Sequence, residues 1–62
     1  MQPPTASEFH VYNCEMDLGL MYAQKFPVLA ADCFQRCVLA AERMGREDLA
    51  AKAHNMIAQL DA

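Results

Sequence analysis

Pro27 and Gly45 cut this chain into three segments, and in each the apolar residues recur every three to four positions. That period is the signature of helices burying a face, and no stretch shows the alternation of a half-buried strand. The segments predict helices over Ser7–Lys25, Pro27–Met44 and Arg46–Leu60, with residues 1–6 as an extended lead-in carrying Pro3-Pro4. Thr5 or Ser7 is the expected cap, with Glu8 three residues beyond Thr5 in capping-box spacing. Proline suits the first turn of the second helix and disfavours helical geometry at Phe26. Gly45 stands where a left-handed cap closes that helix. The expected fold is all-α: an antiparallel helical hairpin plus a third helix, one domain spanning 7–62.

The first helix is unusual. On a helical wheel Asn13, Gln24, Asp17 and His10 gather on one narrow face, and Glu15 divides the apolar remainder into two stripes. One stripe is Val11, Cys14, Leu18, Met21 and Tyr22; the other includes Phe9, Tyr12, Met16, Gly19 and Leu20. A surface helix ordinarily carries one stripe, so two predict a helix packed on both sides. The second helix has a broad apolar arc centred on Ala30, Cys33, Phe34 and Cys37. In the third, Leu49, Ala53, Met56, Ile57 and Leu60 form a single stripe.

Here composition matters. The chain has 62 residues, of which 55% are hydrophobic and 21% charged. So short a chain buries a small share of its surface and relies on disulfides, a metal, tight helix packing or association. The apolar excess favours association, as a dimer or in a complex with another protein. The expected anchors are Phe9, Tyr12, Met16, Leu20, Met21 and Tyr22, large side chains of the kind that dominate interface energy. Glu15, set between apolar stripes, is expected to pair with Arg36, Arg43 or Lys25 across an interface.

Several classes are disfavoured. A net charge of −3, with five dispersed basic residues, argues against nucleic-acid binding. No apolar run approaches the ~20 residues of a membrane span. The first residues lack the pattern of a signal peptide, so the expected compartment is the cytoplasm, where thiols stay reduced. Three cysteines, an odd number, do not suit a disulfide framework. No cofactor and no catalytic activity are expected.

The alternative is a metal-binding or redox-sensing hairpin using Cys14, Cys33 and Cys37. Cys33-x-x-x-Cys37 places two sulfurs on one helix face, and His10-x-x-x-Cys14 repeats the spacing, so four soft ligands would be available. Core packing is the competing explanation, since free cysteine is among the most buried residue types.

Leu18-Gly19-x-x-Tyr22 followed by Ala30, Phe34 and Cys37 resembles the signature of the tetratricopeptide repeat over roughly residues 12–44. The resemblance implies two closely packed helices, with the third as a capping helix. It also implies that Asn13, Met16, Leu20, Ala23 and Gln24 line a groove for a peptide or helix of a partner protein.

Overall fold

The computed structural model describes the backbone of residues 4–61 and the side chains of 7–60. It contains three helices: α1 (Pro4–Tyr22), α2 (Pro27–Arg43) and α3 (Glu47–Asp61). No strand occurs among the described residues.

α1 begins at Pro4, three residues ahead of the expected start. Thr5 and Ser7 therefore lie within the helix instead of capping it, and the lead-in that falls on residues 1–3 lies outside the described residues. Proline fits this first turn because its missing N–H would have found no intrahelical partner there. Glu8, freed from capping, stands 3.6 Å from Arg43 of α2.

At its other end α1 stops at Tyr22, short of the expected Lys25. Phe26 must leave helical geometry ahead of Pro27, and it does so at φ −133°, ψ 68°. Its N–H donates to the Tyr22 carbonyl at 2.7 Å, and the two rings meet edge to face at 6.1 Å. This clamps the turn.

The junction of α2 and α3 follows local chemistry closely. Gly45 adopts φ 70°. The Gly45 N–H donates to the Glu42 carbonyl at 3.0 Å and the Arg46 N–H to the Ala41 carbonyl at 2.9 Å. These are the paired bonds of a Schellman cap, satisfying carbonyls that the helix end leaves open. The Arg46 carbonyl then accepts from Ala50, starting α3. Glu47 and Asp48 sit in the first turn of α3, where the helix dipole favours acids.

α2 is the central element. Both other helices pack along it, whereas α1 and α3 touch only marginally. The Tyr12 hydroxyl does cross from α1 to α3, donating to the Leu49 carbonyl at 3.3 Å. The result is an elongated slab with extents of 40 × 18 × 11 Å. The core consists of Tyr12 and Met16 from α1, Phe34, Cys37, Val38 and several alanines from α2, and Ala53 from α3. Leu49, Met56, Ile57 and Leu60 of α3 pack half-buried against it, as their single stripe predicts.

The α1–α2 seam turns on Gly19. A Cβ placed there would fall 2.5–2.8 Å from three ring carbons of Phe34, closer than real contacts allow. Phe34 is fully buried and occupies the space that a side chain at position 19 would take. Tyr12, Met16 and Gly19 thus form the inner face of α1. Among the described residues α1 is packed on this side only, so the two-sided burial expected of its two stripes is not met by α2 and α3.

Candidate functional site

With one face of α1 committed to α2, apolar side chains are left in solvent on both flanks of the helix, Phe9 and Leu20 on one and Val11, Leu18 and Met21 on the other. Met21 is 76% exposed, Leu20 51% and Phe9 47%. Val11 and Leu18 are each 40% exposed, and Cys14 lies open between them. Helix spacing explains the arrangement. Val11, Cys14, Leu18 and Met21 are separated by three, four and three residues, the spacing of a coiled-coil seam. No element of the described structure covers them.

Of the six expected anchors, the structure places Tyr12, Met16 and Tyr22 against the core. Tyr12 and Met16 are 5% and 8% exposed, inside the core, and cannot also insert into a partner. Their stripe is the one that Gly19 directs against Phe34. Tyr22 is half-buried against the same core and meets the Phe26 ring edge to face. Phe9, Leu20 and Met21 remain available. Val11 and Leu18 were not among the expected anchors, although their spacing with Cys14 marks them as a stripe. α2 also exposes Val28, Leu29 and Leu39.

Glu15 does form an ion pair, but within the chain. The Arg36 Nε donates to Glu15 Oε2 at 2.8 Å, joining α1 to α2 at the rim of the seam. The Arg36 Nη2 also stands 3.5 Å from Cys33 Sγ. The bond to Glu15 holds the guanidinium above its ordinary pKa, and burial works against it. Glu15 Oε1 is buried without a hydrogen-bond partner.

The buried thiols are set up for packing. Cys37 is fully buried and its thiol donates to the Tyr12 carbonyl at 3.4 Å. Burial pushes its pKa up to about 11, with the nearby Glu15 charge acting in the same direction. Burial likewise raises Cys33, reinforced by Glu15 and opposed by Arg36. Thiols held protonated in this way are poor nucleophiles. Burial also raises the Tyr12 phenol.

The four-ligand arrangement that His10, Cys14, Cys33 and Cys37 would need does not form. Cys33 and Cys37 point into the seam, whereas Cys14 is exposed on the outer side of α1. Among the described residues no three His, Cys, Asp or Glu side chains come together to hold an ion. His10 does approach Cys14, with Nε2 to Sγ at 3.6 Å.

Two open clefts lie along α2 and α3, larger than expected for so small a chain. One of about 540 Å³ is bordered by Glu42, Arg46, Glu47 and His54, the other of about 410 Å³ by Pro27, Val28, Ile57 and Leu60. Both are shallow and open to solvent, unlike the enclosed pockets that hold small ligands. Arg46 grips Asp48 through two bonds of 3.1 and 3.0 Å at the edge of the first, which holds the Asp48 carboxyl below its usual range.

No helix among the described residues is long and apolar enough to cross a membrane. Comparison with known protein families, characterised proteins and solved structures finds no match to this chain.

Proposed function

We propose that this chain is a small protein–protein interaction module, not an enzyme, that docks through the outer face of α1. The observation that carries this reading is the exposure of Phe9, Leu20 and Met21 on a helix whose other side is already packed. Phe9 and Leu20 flank the exposed side of α1 on one edge and Met21, with Val11 and Leu18, on the other, and large apolar side chains in these positions stabilise an interface when a partner excludes water from them. The resemblance to a tetratricopeptide hairpin points the same way, since the first helix of such a repeat faces its ligand. Of the positions which that resemblance assigns to the groove, Asn13, Leu20 and Gln24 are exposed. The partner is a protein, either a larger one served by this chain as adaptor, chaperone or inhibitor, or a second copy. Three free thiols suit a reducing compartment, and the cytoplasm is part of the proposal.

The test is a pair of substitutions at exposed positions. Leu20→Glu and Met21→Glu should leave helicity and melting temperature near the wild type, because neither side chain belongs to the core. Self-association measured by sedimentation, or recovery of the native partner, should fall at least tenfold. Wild-type association in both variants would refute the proposed surface.

A further inference from the structure

The outer face of α1 also holds a pair of metal-binding side chains at a telling distance. His10 and Cys14 lie one helical turn apart, both exposed, with Nε2 and Sγ separated by 3.6 Å. A tetrahedral Zn²⁺ ion bonds cysteine sulfur at ~2.3 Å and histidine nitrogen at ~2.0–2.1 Å. Two such ligands at the tetrahedral angle stand roughly 3.5 Å apart across the ion. The pair is therefore already spaced as a bidentate grip, on a helix that keeps positions i and i+4 on one face.

This grip supplies two of the four ligands of a closed zinc site. Cys33 and Cys37 cannot supply the others, being buried on the opposite side of the helix, and no third ligand joins the pair among the described residues. We propose that His10 and Cys14 form half of a tetrahedral site for a thiophilic divalent ion of the Zn²⁺ class, and that His10 and Cys14 of a second copy of this chain complete it.

The charges favour that occupant. Two thiolates cancel the double charge of the ion, giving a neutral two-sulfur, two-nitrogen set of the kind found in structural zinc sites. Each Cys14 thiol gives its proton to solvent as its sulfur–metal bond forms. Val11, Leu18 and Met21 lie on the same exposed side of α1, so an ion shared at His10 and Cys14 brings these residues against the copy. Apolar burial then adds to the metal bonds. The inference rests on the reading of this face as a docking surface, but it depends on different side chains.

Co²⁺ added to reduced, chelator-treated protein provides the test, because tetrahedral cobalt–thiolate sites absorb in the visible and near-ultraviolet. The expected result is a visible band that saturates at one ion per two chains, accompanied by a shift from monomer to dimer in sedimentation, both reversed by chelator. His10→Ala and Cys14→Ala should each abolish the band, and Cys33→Ala should retain it. Absence of the band, its persistence in His10→Ala, or saturation at one ion per chain without dimer would overturn the inference. If the band fails while Leu20→Glu and Met21→Glu still weaken association in chelator, the ion site alone is wrong. If the band forms and those variants associate normally, the apolar docking reading is the one that fails.

Discussion

Gly19 shows how one missing side chain orients a helix. Replacing glycine by alanine inside a helix ordinarily stabilises it by about 1 kcal/mol. Here the added methyl would meet the Phe34 ring at 2.5 Å, and Phe34 is fully enclosed. Overpacking of this kind costs about 1–3 kcal/mol, so Gly19→Ala should destabilise and Gly19→Leu should do so more strongly. Chemical denaturation will show it, and a gain in stability for Gly19→Ala would mean that the seam is looser than described. Cys37 makes a second prediction at this scale. Its folded pKa of about 11 lies above the ordinary thiol value of 9.0, so the fold favours the protonated form. The stability tied to that preference is complete below pH 9 and declines as pH rises towards 11. Urea midpoints measured across that window should fall, and Cys37→Ala should flatten part of the decline.

Among the helices, those with punctuation of their own were the most legible. Pro27 and Gly45 fix the two turns through bonds made within a few residues, so the sequence alone located them. The start of α1 was not legible, because Pro4 serves equally in an extended lead-in and in a first helical turn. Nor was the inward stripe of α1. Both stripes are apolar, and the choice depends on Phe34, fifteen positions away, needing the space at Gly19. From helical spacing alone Tyr12 and Met16 are therefore indistinguishable from docking residues. Cysteine reactivity tests the resulting orientation. In chelator and at neutral pH, one thiol per chain, Cys14, should react quickly with a disulfide reagent, and Cys33 and Cys37 only on unfolding. Three fast thiols would contradict the seam. The Glu15–Arg36 pair belongs to this scale too, since it spans two helices. Arg36 is half exposed, so the pair itself is worth little. Arg36→Ala should nevertheless cost about 1 kcal/mol, because it leaves the more enclosed carboxylate unpaired. Adding Glu15→Leu should recover most of that loss in a double-mutant cycle.

For the whole molecule, the decisive feature is that two helices flank a third without closing around it. The slab is 11 Å across its thinnest axis, and no element among the described residues covers the outer face of α1. Five large apolar side chains of one helix, Phe9, Val11, Leu18, Leu20 and Met21, stand in water there, and exposure on that scale points to a binding role. Placing a photo-crosslinking amino acid at Met21, at Leu20 and, as a control, at Ala58 on exposed α3 tests this directly in the cell that makes the protein. A discrete protein adduct, to a second copy or to another chain, is expected from positions 20 and 21 and none from 58. Equal or absent crosslinking at all three positions would contradict a docking role for α1.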